Sequence, residues 1–139
     1  MSIRRCLLLA VPALAFVGLL QAAQGAQEHP VVALVKSKVK DAKKPFALLV
    51  TIKVKSGKGK ELETAFAPCI AATKKETGCL AYELNRDPDD PTAYLLFEKW
   101  GNVAALATHL KLEHTTRLLQ AVGPLSDGEI KAKIYEVPE

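Results

Sequence analysis

The chain has 139 residues, enough for one globular domain, and carries 19 Lys and Arg against 15 Asp and Glu, a net charge of +4. Two of the basic residues lie in the first five positions, and the other 17 leave a net charge of only +2. The basic residues do not alternate with aromatic ones in a stripe, so the sequence argues against a nucleic-acid-binding protein.

Residues 1–25 are typical of a secretory signal peptide. A pair of arginines precedes an almost unbroken apolar run, residues 6–20, and residues 23–25 offer small side chains at both key positions of a cleavage site. A permanent anchor is the less favoured alternative, because a transmembrane helix needs about 20 apolar residues. Cys6 precedes most of the run and is not placed for lipid attachment. We expect cleavage near Ala26, export to the periplasm or out of the cell, and no stable membrane anchor afterwards.

Residues 26–45 form a lead-in segment with an apolar start and a lysine-rich end. The lysines indicate a solvated face rather than a binding patch. The pattern is compatible with a short helix and with packing against a sheet edge, and it does not decide between them. The five lysines are Lys36, Lys38, Lys40, Lys43 and Lys44.

The domain itself is predicted for residues 46–139. It begins with a strand over residues 46–54, which are rich in β-branched side chains. After a glycine-containing turn, residues 60–77 repeat apolar side chains at three- and four-residue steps, which predicts an amphipathic helix. Pro68 lies inside this helix and removes one backbone hydrogen bond. Gly78 is expected to end the helix.

Two alternating runs, residues 79–86 and 93–100, predict a hairpin whose turn is the acidic, proline-rich segment 87–91. Neither strand has a fully polar face, so both sides of the sheet should be covered at least in part. Helices must supply one covering layer. A second copy of the sheet is the best candidate for the other.

The second half of the domain predicts a helix and a last strand. Asn102 is a suitable N-cap for the helix. Residues 113–122 continue or restart it, residues 123–124 (Gly-Pro) should end it, and residues 129–137 alternate as a strand. The order βαββαβ predicts an α+β, ferredoxin-like antiparallel sheet with helices on one face. Such a sheet commonly forms a homodimer through its uncovered apolar face.

Cys69 falls inside the first predicted helix and Cys79 at the start of the next strand. An exported protein permits a disulfide between them. However, about two helical turns follow Cys69, roughly 10 Å, and a disulfide needs Cα atoms within about 7 Å of each other. Two separate, small buried thiols are therefore favoured over a bridge.

The sequence lacks the familiar signatures of hydrolases, nucleotide-binding proteins and zinc enzymes. His109 and His114 would lie about 140° apart on one continuous helix, so a metal shared between them is not predicted. The remaining features predict an apolar cleft with few polar groups, which suits a flat hydrophobic ligand.

His109 is the strongest candidate for a catalytic residue. If its helix crosses the sheet, the imidazole points into the space between them and can exchange a proton with a phenol. The alternative is a half-buried histidine that bonds a backbone carbonyl. Trp100 ends the strand beside this helix, either as a core anchor or as a ligand platform. Tyr82 and Tyr94 share its face if the strands pair without a bulge, and they are candidates for lining the cleft.

Glu98 also belongs to that face and would be costly to bury without a partner. Arg86 is the candidate partner, in a structural ion pair. The three carboxylates of segment 87–91 can attract a cation, but the two prolines among them indicate a turn first.

Four short motifs follow one another at defined spacing, and together they resemble the antibiotic biosynthesis monooxygenase family, which includes small quinol monooxygenases. The resemblance covers about residues 46–122 and is weaker beyond. The motifs are Gly78-Cys79-Leu80-x-Tyr82, Arg86-Asp87-Pro88-x-Asp90-Pro91, Glu98-x-Trp100 and Ala105-Leu106-x-x-His109-Leu110.

The resemblance implies a dimeric α/β barrel built from two ferredoxin-like chains. It also implies an oxidoreductase that oxidises phenols or quinols with molecular oxygen and needs no metal, flavin or haem. The substrate anion passes an electron directly to oxygen, so the protein supplies a base, hydrogen bonds and a dry cleft. His109 and Trp100 match the family's His and Glu-x-Trp positions.

Haem-degrading relatives use an Asn on the first strand and a His on the second helix, which correspond here to about Val50 and Leu119. Neither can serve, so haem degradation is disfavoured. The leading hypothesis is an exported monooxygenase of small quinols or phenols. The alternatives are a non-catalytic ligand-binding or stress-associated dimer with the same cleft, and a haem-binding protein that uses His109 or His114 differently.

Overall fold

A computed structural model describes residues 28–138. The predicted signal peptide, on which the prediction of export depends, lies outside this range. One four-stranded antiparallel sheet has the order β2-β3-β1-β4, which confirms the α+β, ferredoxin-like prediction. In the described part of the chain, no helix is long and apolar enough to cross a membrane. The elements are α1 (Pro30–Lys38), β1 (Phe46–Lys53), α2 (Gly59–Thr73), β2 (Cys79–Arg86), β3 (Ala93–Trp100), α3 (Val103–His109), α4 (Glu113–Leu125) and β4 (Lys131–Glu136).

Helices cover one face of the sheet. Every second residue of β3 is buried, from Tyr94 to Trp100, and so are four of the residues paired with them, Phe46, Leu48, Ile52 and Tyr82. The same core includes Phe66 of α2, Leu106 of α3 and Leu118 of α4. The alternation thus points one set of side chains from every strand into a single layer between sheet and helices.

The opposite face of the sheet is half exposed and apolar at its centre. Phe97 lies opposite Leu49 of β1, and Leu95 lies next to them on the same face. All three are only partly buried, and none of the helices in residues 28–138 packs over them. We call this surface, centred on Leu49, Leu95 and Phe97, the open face.

The lead-in segment contains a short helix, α1, which also packs against the edge strand β4, so both possibilities that its sequence left open occur together. Val32 and Val35 are fully buried in the core, and the helix packs against α3 and β4. His29 caps it, since its Nδ1 accepts the backbone N–H of Val31 at 3.2 Å. The five lysines are exposed, as predicted for a solvated face.

Helix α2 ends at Thr73, four residues before the predicted end, and the prediction that Gly78 terminates it was wrong. Tight turns replace the last helical turn, with the N–H of Glu76 donating to the carbonyl of Thr73 at 3.0 Å. Gly78 instead has φ = +90°, and a Cβ there would lie 2.6 Å from Cβ of Ala105. Glycine is therefore needed for the close approach to α3.

The second helical region is divided in two. Asn102 caps α3 as predicted, its Oδ1 accepting the N–H of Ala105 at 2.9 Å. The chain then leaves the helical path after His109 and restarts at Glu113. The predicted stop at residues 123–124 was wrong, because α4 continues to Leu125. A proline in the last turn removes a single hydrogen bond, which a helix end tolerates.

The hairpin contains a bulge between Cys79 and Ala81, and Leu80 there is 54% exposed. Beyond the bulge the register places Tyr82 directly opposite Glu98. The acidic loop is a turn as predicted. Its carboxylates accept local hydrogen bonds, such as that from the Thr92 hydroxyl to Asp90 at 2.6 Å.

Cys69 and Cys79 are both free thiols, the alternative that the sequence favoured. Cys69 is buried, with its Sγ 3.7 Å from the Thr73 hydroxyl and 4.0 Å from the Tyr82 hydroxyl. Burial raises the pKa of the Cys69 thiol, so it behaves as a small core side chain rather than as a nucleophile.

Candidate functional site

A cavity of about 310 Å³ lies between the covered face of the sheet and the helices α3 and α4. Its size suits a small organic molecule of one or two rings. Most of its wall is apolar, and polar groups reach it at only a few places. The apolar wall includes Leu48, Val50, Leu96, Leu106, Leu118 and Ala132.

His109 lines this cavity and is only 2% exposed. Its Nδ1 lies 2.9 Å and 3.2 Å from the two carboxylate oxygens of Glu76. A carboxylate can only accept, so Nδ1 carries the proton and Nε2 is left as an acceptor. Burial lowers the pKa of His109, and the neighbouring Glu76 opposes this in part. His109 is thus a buried imidazole held in one tautomer beside an apolar cavity.

Thr115, near the start of α4, is the other polar group on this side. Its hydroxyl lies 3.3 Å from Nδ1 and 3.4 Å from Nε2 of His109, and Thr115 also lines the cavity. It is buried. A hydroxyl can rotate to donate or to accept, so Thr115 can follow either tautomer of the imidazole.

Two aromatic side chains, Trp100 and Tyr82, pack around His109. The Trp100 ring centroid is 4.8 Å from that of the imidazole, and the Tyr82 centroid is 5.4 Å away. Tyr82 lines the cavity, whereas Trp100 is fully buried behind the wall and supports His109 from there. Burial, followed by the negative charge of Glu98, raises the pKa of Tyr82, which therefore stays a neutral phenol.

Glu98 lines the cavity and is 5% exposed. Its Oε2 accepts the indole N–H of Trp100 at 2.7 Å. Burial raises the pKa of Glu98 to about 7, since the indole hydrogen bond offsets only part of the desolvation. The predicted ion pair between Glu98 and Arg86 was wrong. Arg86 lies instead 3.6 Å from Glu63.

Tyr94 lies apart from the cavity. Its hydroxyl donates to Glu63 at 3.0 Å, and the residue borders a separate groove of about 740 Å³ beside the hairpin turn. Of the four side chains proposed from the sequence, the structure therefore brings together His109, Tyr82 and Trp100. Tyr94 belongs to the same sheet face but to its far end.

The turn after α2 and the break between α3 and α4 create a cluster that the sequence did not predict. Oε1 of Glu76 lies 2.9 Å from Nδ1 of His109 and 2.6 Å from Nε2 of His114. The expectation that the two histidines diverge was wrong, because it assumed one continuous helix across residues 110–112. Their ring centroids are only 5.8 Å apart, and the three side chains together could hold a metal ion.

Sequence reasoning missed Glu76, Thr115 and His29 as parts of the site, and it underrated Glu98. His29 reaches the cavity from the N-terminus of α1. Glu76 and His29 lie far from His109 along the chain, so no local spacing marks them. The alternation along β3 did place Glu98 on the face of Trp100, and that signal could have identified it.

Val50 and Leu119, which the sequence resemblance placed near the haem-binding positions of haem-degrading proteins, both line the cavity. Neither side chain offers an atom that could ligate iron or bond a haem ligand. The cavity therefore does not fit haem in the manner of those relatives.

Solved structures share this fold over most of their length. A protein from Caulobacter crescentus, provisionally assigned as an antibiotic biosynthesis monooxygenase, aligns with a TM-score of 0.67 and 26% identity over 70% of this chain and 93% of its own. A similarly assigned protein from Nitrosomonas europaea aligns with a TM-score of 0.66 and 20% identity, over 71% of this chain and 95% of its own. The second identity is low enough that it supports the fold alone.

Sequence comparison finds a relative in another organism and, separately, a match to a family model. An uncharacterised protein of Synechocystis sp. is 30% identical over 101 residues, which cover 73% of this chain and 69% of the relative. The sequence profile of the antibiotic biosynthesis monooxygenase family matches residues 45–121, close to the range that the four motifs indicated. This chain belongs to the antibiotic biosynthesis monooxygenase family.

Proposed function

We propose that the protein is a monooxygenase that oxidises small quinols or related phenols with molecular oxygen, with the substrate anion itself as the electron donor. The observation that carries the proposal is a buried histidine, fixed in one tautomer by Glu76, beside an apolar cavity of about 310 Å³. Family membership supports the reaction class, and the cavity supports the substrate class.

The first step is proton transfer from the phenol to Nε2 of His109. Nδ1 donates to Glu76, so the imidazolium formed is stabilised by a carboxylate at 2.9 Å. The apolar wall leaves the phenolate poorly solvated, which strengthens its interaction with the imidazolium. Glu98, neutral below about pH 7, can donate a hydrogen bond to a second substrate oxygen.

The phenolate then gives an electron to oxygen within the cavity. For a phenol with a free ring carbon, one oxygen atom enters the ring as a carbonyl and the other leaves as water. The products are one quinone and one water for each phenol and oxygen consumed. A quinol that is only dehydrogenated would instead give a quinone and hydrogen peroxide. The two outcomes differ in whether label from ¹⁸O₂ enters the product.

The test is oxygen uptake with menadiol or a simple naphthol in air, with autoxidation subtracted. We expect His109→Gln to lower kcat by about 100-fold or more, because a positioned general base contributes about 10²–10⁴-fold. Glutamine keeps a polar side chain in place but cannot accept the proton. Circular dichroism and thermal melting should show that the variant remains folded.

A second variant tests whether the cavity is the place of reaction. Val50→Phe adds volume inside the cavity and should raise KM more than it lowers kcat. Leu34→Phe, on the exposed side of α1, is the matched control and should change neither. Because Trp100 is the only tryptophan and packs against His109, which lines the cavity, its fluorescence should also report binding. Quenching by quinone without oxygen uptake would favour the non-catalytic ligand-binding alternative.

We further propose that two chains pair through their open faces, as the dimeric barrel requires. The centre of that face is apolar and would be exposed to water in a single chain. Its residues are Leu49, Leu95 and Phe97. Phe97→Asp should convert a dimer into a monomer, because it places a charge in the middle of the contact. Light scattering after size exclusion measures the mass. Leu34→Asp is the control, and a monomeric parent protein would contradict the proposal.

A further inference from the structure

The cluster of Glu76, His109 and His114 brings three ligating side chains together from three different segments. Glu76 comes from the turn after α2, His109 is the last residue of α3, and His114 is the second residue of α4. One ligating atom from each lies within 4.8 Å of the others. The Glu76 and His114 side chains are 12% and 24% exposed, so the cluster is reached from solvent on the side of His114.

The spacing of these atoms is close to that of ligands around one metal ion. Zn²⁺ binds nitrogen and oxygen at about 2.0–2.2 Å in tetrahedral geometry, which sets neighbouring ligand atoms about 3.3–3.6 Å apart. The Glu76 oxygens already lie 2.9 Å and 3.2 Å from Nδ1 of His109, and 2.6 Å separates Oε1 from Nε2 of His114. Bringing the two imidazoles nearer to one centre needs a movement of the partly exposed His114 side chain.

The charge of the cluster also favours a cation. Among the described residues, two histidines lie within hydrogen-bond distance of the Glu76 carboxylate, and neither lysine nor arginine forms a salt bridge with it. When both imidazoles are neutral, the only formal charge in the cluster is that of the carboxylate. A divalent ion would neutralise the carboxylate in a setting that is mostly shielded from water.

We propose that Glu76, His109 and His114 form a binding site for one divalent first-row transition-metal ion, such as Zn²⁺. The ligands are the Glu76 carboxylate, Nδ1 of His109 and Nε2 of His114, with water completing the coordination. Two imidazoles and one carboxylate are a common ligand set for Zn²⁺ and Fe²⁺. Each imidazole gives its proton from the ligating nitrogen to the other ring nitrogen, so both stay neutral.

The metal site would affect the cavity through the imidazole of His109, which belongs to both. Glu76 and His114 do not line the cavity, whereas His109 does, so the metal lies on the far side of the imidazole from a ligand. With metal on Nδ1, the remaining proton moves to Nε2, where it can form a hydrogen bond with the Thr115 hydroxyl at 3.4 Å or with a ligand in the cavity. His109 then donates into the cavity and no longer accepts. Metal binding would thus inhibit the oxidation, a consequence that rests on the proposed function.

The binding test needs no substrate and uses tag-free protein. Titration with Co²⁺ should give a visible absorption band that saturates at one ion per chain, and Zn²⁺ should abolish it by displacement. Zn²⁺ should also raise the melting temperature. His114→Gln should weaken Co²⁺ binding by about 30-fold or more, since one of three protein ligands is lost. This side chain is partly exposed, so the variant is expected to fold.

His29→Gln is the matched control, because His29 is the other histidine of the described chain and caps α1 outside the cluster. It should bind Co²⁺ like the parent protein. No saturable band up to about 1 mM Co²⁺, or equal affinity in His114→Gln, would overturn the site. So would a thiolate-to-cobalt charge-transfer band, which would place the ion on Cys69 or Cys79. Because binding is measured directly, these results do not depend on whether the protein oxidises quinols.

Discussion

Replacing Trp100 by alanine should lower the free energy of unfolding by about 4 kcal/mol, within the usual range for removing a buried Trp from a core. The side chain is fully buried, and its ring packs against both His109 and Tyr82. The change also removes the indole N–H that bonds Glu98 at 2.7 Å, and it leaves a buried carboxyl without that donor. Urea unfolding at pH 7 and a fixed protein concentration measures the difference.

Two further variants separate the causes. Trp100→Phe keeps most of the packing but loses the N–H donor, so it should cost about 1–3 kcal/mol. Leu119→Ala, at a half-exposed position on α4, should stay within about 0.5 kcal/mol of the parent. If Trp100→Ala changes stability by less than about 1 kcal/mol, the indole does not have the structural role assigned to it.

Glu98→Gln should make the protein more stable at alkaline pH. The folded state raises the pKa of Glu98 from 4.5 to about 7, so between these values the unfolded chain has released the proton while the folded chain still holds it. Stability therefore falls as pH rises through this window, by up to about 3 kcal/mol at 1.36 kcal/mol per pKa unit. Glutamine has no charge to form and can still accept from the Trp100 indole.

The measurement is urea unfolding from pH 4 to 8 for both proteins. The variant should match the parent near pH 4.5 and exceed its stability by about 2–3 kcal/mol at pH 8. His109 contributes a slope of opposite sign, because its lowered pKa makes the unfolded chain bind more protons below about pH 6.5. It is present in both proteins, so the comparison isolates Glu98. Parallel stability profiles would show that Glu98 does not titrate with a raised pKa.

Both predictions concern one small network, Trp100 with Glu98 and His109, which joins stability to the proposed chemistry. Glu98 is costly to bury as an anion, yet it stands in the cavity wall with one oxygen held by the indole. A polar group kept at such a cost is more typical of a functional site than of a stabilising core. The pH dependence of kcat/KM for a phenol should then report Glu98 as well as His109.

The sequence by itself predicted the four strands, the βαββαβ order of the domain and the shared face of Glu98 and Trp100 on β3. Strand alternation has a period of two, and a one-residue error would move every side chain to the other face, so such patterns are strongly specified. The four motifs identified the family and selected His109. The leader and export remain predictions, since residues 1–25 lie outside the described range.

Only the tertiary structure decided which polar groups meet. The helical spacing of apolar residues predicted a first helix that reaches residue 77 and a second that continues across residues 110–112. Both predictions failed because this spacing does not show where a chain leaves the helical path. Those two departures place Glu76 and His114 on the same side of His109. Glu76 is separated from His109 by 33 positions and from His114 by 38 positions along the chain. These contacts follow from packing against the sheet and from the close approach at Gly78. The sequence therefore identified His109 as the candidate, and only the tertiary packing placed the Glu76 carboxylate against it.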